Sequence, residues 1–110
     1  MKLPNASRAL ISQEKITLYL LDPLHPDGGN KARFFLRHGF RAEAWIELAS
    51  ALKRIGEDND VGEPVETMHG IKYVIDGTMT TPSGRRAKVR TVWIVDRGSE
   101  SPRFVTAYPI

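Results

Sequence analysis

The sequence contains no cysteine. Disulfides, thiolate nucleophiles and cysteine-ligated zinc or iron–sulfur centres are therefore excluded. No apolar run approaches the roughly 20 residues that a membrane-spanning helix needs. The opening residues, MKLPNASR, hold no apolar core of signal-peptide length. No two histidines stand at i, i+4, and no carboxylates cluster at a ligand spacing. The acids of residues 57–60 lack the calcium-loop pattern. Gly28-Gly29 is too short to cradle a phosphate, no Walker or dinucleotide fingerprint is present, and no serine sits in a nucleophile elbow. These absences lead to the expectation of a cytoplasmic chain that uses no metal, no cofactor and no membrane.

What is present fits one globular domain over residues 1–110, with a single core. Its charge is unevenly placed. Residues 85–110 carry six basic side chains against two acids, whereas residues 40–66 carry seven acids against three bases. A polyanion is drawn to the C-terminal part by Coulomb attraction. The same charges would equally protect a solvated sheet edge.

The first two-thirds read as helical. Ser12 is placed to cap a helix over residues 13–21, with Ile16, Tyr19 and Leu20 at helical spacing and Pro23 ending it. The stretch DPLHPDGGN, with two prolines and two glycines, must be a loop. A second helix follows over 31–37, capped by Asn30 and ended by Gly39. The third and clearest covers 42–55, with the apolar stripe Trp45, Leu48, Leu52 and Ile55 and a stop at Gly56. Residues 57–64 read as an exposed connector.

From Pro64 onward the period is two. Strands are expected over 65–68, 71–76, 87–95 and 103–108, joined by short turns. Short turns require antiparallel pairing. The predicted fold is α+β: two to three N-terminal helices packed on a four-stranded antiparallel β-meander. The third strand is apolar on both faces, with Val89 and Trp93 on one and Val92 and Ile94 on the other. Within it Arg90 needs an anion, a carboxylate such as Asp76, or solvent.

Of the three histidines, His38 and His69 each precede a glycine at an element boundary and read as capping or exposed. His25 lies in the constrained loop six residues before Lys31. It reads either as a plain loop residue or as a general acid or base, with Lys31 steadying negative charge. The remaining candidates are Lys72, Arg90, Thr91, Thr106 and Tyr108. Metal-independent RNA cleavage suits such a set, because the ribose 2′-hydroxyl supplies the nucleophile. Histidine or tyrosine would move protons, lysine and arginine would neutralise the phosphate, and threonine would bind its oxygens. Arg86 and Lys88 add to Lys72 as substrate-binding cations. Passive phosphate binding fits the same groups.

The segments LDPLHPDGGNKARFF (21–35), GIKYVIDG (70–77), RTVW (90–93) and PRFVTAYP (102–109) together resemble a small bacterial domain family of unknown function. They are also similar to the C-terminal toxin domains of contact-dependent and polymorphic toxin systems, of the barnase–EndoU–colicin–RelE ribonuclease class. That resemblance implies N-terminal helices on a four-stranded antiparallel sheet. It implies catalytic residues at His25, Lys31, Arg90, Thr91, Thr106 and Tyr108, an RNA substrate, and a small acidic antitoxin or immunity protein as partner. With no delivery region in the sequence, the expectation is a stand-alone toxin or a domesticated relative. The alternative is a non-catalytic module that binds RNA or a protein through the basic C-terminal sheet.

Overall fold

The computed structural model describes residues 1–110. Ser12 caps the first helix, its Oγ accepting the Lys15 N–H at 3.2 Å. This helix, α1, is α-helical over Gln13–Lys15 and widens into a π-helical turn over Ile16–Leu20. The Leu21 N–H closes that turn on the Ile16 carbonyl at 2.8 Å. The segment is helical where expected, but it is not one regular helix. Ile16 and Leu20 are fully buried, and Tyr19 between them is only half-buried.

Helix α2 spans Gly29–Arg37. It starts earlier than expected, and Asn30 does not cap it. Asn30 lies inside the first turn and accepts from Arg33 Nη1 at 2.6 Å. The loop anchors the helix start instead: the Gly29 N–H donates to the His25 carbonyl at 2.9 Å. Gly39, at φ 94°, ends the helix region in the left-handed conformation, and Phe40 packs back into the core.

A 3-10 turn, Ala42–Ala44, leads into α3, Trp45–Asp58. Leu48, Leu52 and Ile55 form its buried stripe. Gly56 does not stop the helix. Its role is close approach, since a Cβ there would stand 3.0 Å from Trp93 Cζ2. The end comes at Asn59, which is extended and whose Nδ2 donates to the Ile55 carbonyl at 3.0 Å. No helix is long and apolar enough to cross a membrane.

Strands β1 (Val65–Glu66), β2 (Gly70–Thr80), β3 (Arg86–Asp96) and β4 (Arg103–Pro109) form an antiparallel sheet in the order β1-β2-β3-β4. The expected α+β arrangement, helices followed by a four-stranded meander, is the one observed. Strand β1 is shorter than anticipated because Thr67 turns the chain, its Oγ accepting the N–H groups of His69 and Gly70.

Tyr73, Ile75 and Met79 of β2, Ala87, Val89 and Trp93 of β3, and Phe104 and Ala107 of β4 pack with the helices into one core. Val92 and Ile94 are nearly as buried on the opposite face, so β3 is apolar on both sides as its sequence suggested. A register shift between Val92 and Trp93 explains the burial of both Phe104 and Ala107, three residues apart. Phe104 pairs with Trp93 and Ala107 with Thr91, whereas Thr106 and Tyr108 pair with Val92 and Arg90 on the other face.

Thr91 is a correction to the expected site. Its side chain is fully buried on the helix-facing side. Its Oγ donates to the Ile75 carbonyl at 2.8 Å and accepts the Trp93 indole N–H at 2.8 Å. Both bonds are spent inside the core, so the residue is structural. Thr91→Val strands the indole N–H and should cost about 1–3 kcal/mol. Urea unfolding of Thr91→Val and Thr91→Ser measures this, with the serine variant retaining most of the stability and both keeping the parental m-value.

Candidate functional site

The first two helices lie against β4, an edge strand of the sheet whose start is bridged by Leu10. Lys15, on α1, donates through Nζ to the Val105 carbonyl at 3.0 Å. This lysine and the π-helical turn present Tyr19 to Thr106, their oxygens 2.7 Å apart. A π-helical turn frequently marks a functional segment. From α2, Lys31 Nζ donates to the Tyr19 oxygen at 2.7 Å and to Thr106 Oγ1 at 3.1 Å. Three elements distant in sequence thus meet at one hydrogen-bonded cluster of an ammonium and two hydroxyls.

Two aromatic rings and another cation surround it. Lys31 Nζ lies 5.3 Å from the Tyr19 ring centre and 5.7 Å from that of Tyr108. Lys15 Nζ lies 5.1 Å from the Tyr19 ring centre. None of the ion pairs in the molecule includes Lys31 or Lys15. Partial burial alone would raise the Tyr19 phenol pKa. The hydrogen bonds from Lys31 and Thr106, with the charges of Lys31 and Lys15, outweigh it and set the value below the ordinary one near 10. A groove of about 580 Å³ opens beside the cluster, lined by Ser12, Glu14, Lys15, Tyr19, His25 and Asp27, with Val105 and Thr106 at its strand side.

His25 packs its ring edge-on against Tyr19, with centroids 5.0 Å apart. Its Nδ1 accepts the N–H groups of Asp27 and Gly28 at 3.0 and 3.1 Å. That geometry places the ring hydrogen of the neutral imidazole on Nε2.

The structure therefore brings His25, Lys31, Thr106 and Tyr108 together, and it leaves other expected members apart. Thr91 is buried beneath the sheet. Arg90 is the cross-strand neighbour of Tyr108, but it is already paired. Its Nε and Nη2 donate to the two carboxylate oxygens of Asp76 at 2.8 and 2.9 Å. Of the environments its strand position allowed, the carboxylate is the one found. Asp76 foremost, and then the Tyr108 hydroxyl, hold the guanidinium protonated well above its usual value. Lys72 and Lys88 occupy exposed positions on the same face of the sheet as Arg90, flanking it. Arg86 lines a different groove, with Arg54 and Asp58 at the end of α3.

Tyr19 and Lys15 are the residues that sequence reasoning missed. Tyr19 entered only as one of three residues at helical spacing in α1. The available signal was its hydroxyl, which a fully buried stripe position would leave needing a partner.

The whole chain belongs to the family described as Domain of unknown function (DUF6883), whose model matches residues 2–110. No curated protein matches it. Among solved structures, the fold is similar to a chain of the "Contact-dependent growth inhibition toxin - immunity protein complex from Klebsiella pneumoniae 342". The two superpose with a TM-score of 0.71 at 16% sequence identity, over 91% of this chain and 98% of the other.

The Asp76–Arg90 pair gives a titration to follow. The Arg90 hydrogen bonds lower the Asp76 pKa, partial burial opposes them, and the Arg90 charge reinforces them, for a net depression. A depressed folded-state pKa means that the pair's stabilisation is complete above the ordinary Asp value of about 3.9. It is lost as pH falls through the folded-state value. Carboxyl-carbon NMR should show Asp76 titrating below the ordinary range, and returning to it in Arg90→Gln.

Proposed function

We propose that the chain is a toxin-type domain that cleaves RNA without a metal ion, by general acid/base transesterification. The observation that carries this reading is Lys31. Its ammonium is half-buried between two tyrosine rings and held by two hydroxyl oxygens, with no carboxylate paired to it. A site that collects positive charge and leaves it without a carboxylate is suited to receive a phosphate. The nearby groove supplies room for a nucleotide. The fold shared with a chain of a toxin–immunity complex supports the toxin class.

In the proposed reaction the ribose 2′-oxygen attacks the adjacent phosphorus and the bond to the 5′-oxygen breaks. The products are a 2′,3′-cyclic phosphate and a free 5′-hydroxyl. Lys31 neutralises the pentavalent phosphate, with Lys15 close behind. Arg90 contributes only its edge not engaged by Asp76. Lys72 and Lys88 supply long-range attraction for the strand. A small acidic protein that covers this face would act as its inhibitor, as an immunity protein does.

A second reading is favoured by a specific observation. Arg90 and His25 Nδ1 already have partners within the chain. A binding module descended from such an enzyme would show salt-dependent RNA or protein binding without turnover.

Purified protein incubated with bulk cellular RNA in chelator distinguishes the two. The cleavage reading expects fragments ending in 2′,3′-cyclic phosphate, and a rate about 10²–10⁴-fold lower for Lys31→Ala. RNA left intact across single-stranded and structured substrates, with binding that weakens as salt rises, establishes the module instead.

A further inference from the structure

The acid/base partners within this site are not yet assigned, and the geometry narrows them. This inference rests on the RNA-cleaving reading. His25 accepts two backbone N–H groups at Nδ1, so its neutral ring carries hydrogen at Nε2 and has no outward lone pair for a substrate proton. Tyr108 lies against the Arg90 guanidinium, outside the hydrogen-bonded cluster. Glu14 and Asp27 line the groove, yet neither pairs with a lysine there. Of the acids that line the groove, Tyr19 is the one bonded directly to a cation, Lys31 Nζ, at 2.7 Å.

We infer that Tyr19 and Lys31 form a proton couple: the Tyr19 phenolate takes the 2′-hydroxyl proton, and the Lys31 ammonium protonates the leaving 5′-oxygen. The step balances. The 2′-oxygen loses its proton to Tyr19 and forms a bond to phosphorus. The bond from phosphorus to the 5′-oxygen breaks, and that oxygen takes a proton from Lys31. The couple then holds a neutral phenol beside a neutral amine. Transfer of the phenol proton across the 2.7 Å contact restores phenolate and ammonium without help from solvent.

The surroundings favour this charge distribution. From α1, Lys15 lies over the Tyr19 ring, and from α2, Lys31 donates to its oxygen. From β4, Thr106 bonds the same oxygen, and from the loop, His25 meets the ring edge. Glu14 and Asp27 are the acids in the groove. The lowered phenol pKa agrees with the two close cations outweighing burial. Thr106, bonded to both members, fixes their separation.

Two measurements test the couple. The first needs no RNA: phenolate absorbance followed across alkaline pH. Of the three tyrosines, one should ionise below the other two. That step should vanish in Tyr19→Phe and move upward in Lys31→Met. Its persistence in Tyr19→Phe overturns the inference, whether or not RNA is cleaved.

The second is the pH dependence of cleavage of a single-stranded oligoribonucleotide. Tyr19→Phe should lower kcat about 100-fold or more, with KM little changed and the thermal midpoint retained. The falling limb of the profile, where the general acid loses its proton, should shift upward in Lys31→Arg, because a guanidinium holds its proton to higher pH. Cleavage by Tyr19→Phe at the parental rate, or loss of cleavage in Glu14→Gln or Asp27→Asn with Tyr19→Phe still active, overturns the couple while leaving the nuclease reading intact. Absence of cleavage by the unaltered chain removes that reading, and the couple with it.

Discussion

The seat of Trp93 fixes how the helical layer meets the sheet. Its indole N–H is held by Thr91, its six-membered ring lies against Gly56, and it forms a T-shaped pair with Phe104 at a centroid distance of 5.5 Å. A fully buried indole must pair its N–H, and here the partner is a side chain two residues along the same strand. Because Gly56 lacks a Cβ, α3 can approach until the ring is covered. The position of α3, and the space left for α1 and α2 beside β4, follow from that contact.

Two cations on the same side of the molecule then meet different fates. Arg90, in the middle of the sheet, finds Asp76 directly across the β2–β3 ladder and makes both bonds that a carboxylate accepts. Lys31 sits at the sheet edge, where β4 offers a threonine and a tyrosine but no acid. It is held by the Tyr19 and Thr106 oxygens and by ring faces, with no carboxylate paired to it. The Arg90 pair is half-exposed and screened by solvent, so it remains exchangeable. The two cations therefore differ in readiness for an incoming anion: one must leave a carboxylate, and the other has no carboxylate to leave.

Much of the fold was legible because it rests on period and punctuation. The Leu48–Leu52–Ile55 stripe, the alternation after Pro64 and the short turns translate directly into α3 and a meander. What was not legible depends on contacts between distant segments. Gly56 reads as a helix stop by propensity, but Trp93, far along the chain, gives it another use. Thr91 reads as a hydroxyl available for phosphate until the indole claims it. Tyr19 reads only as a helical-spacing partner of Ile16 and Leu20, and the π-helical turn that carries it leaves no mark in composition. The Val92/Trp93 register shift is equally silent. Among the candidate site residues, His25, Lys31, Thr106 and Tyr108 were legible as chemistry-bearing groups. Their convergence was not, since it depends on where the edge of β4 falls.

The cluster draws on both ends of the sequence, with Tyr19 and Thr106 lying 87 positions apart. No partial chain that stops short of β4 contains it. During synthesis on a ribosome, the lysine and the phenol are made early but find their third member only after the final strand has emerged from the exit tunnel. In a growing polypeptide the cluster therefore cannot assemble until β4 is free to lie beside β3, however early its lysine and phenol are made.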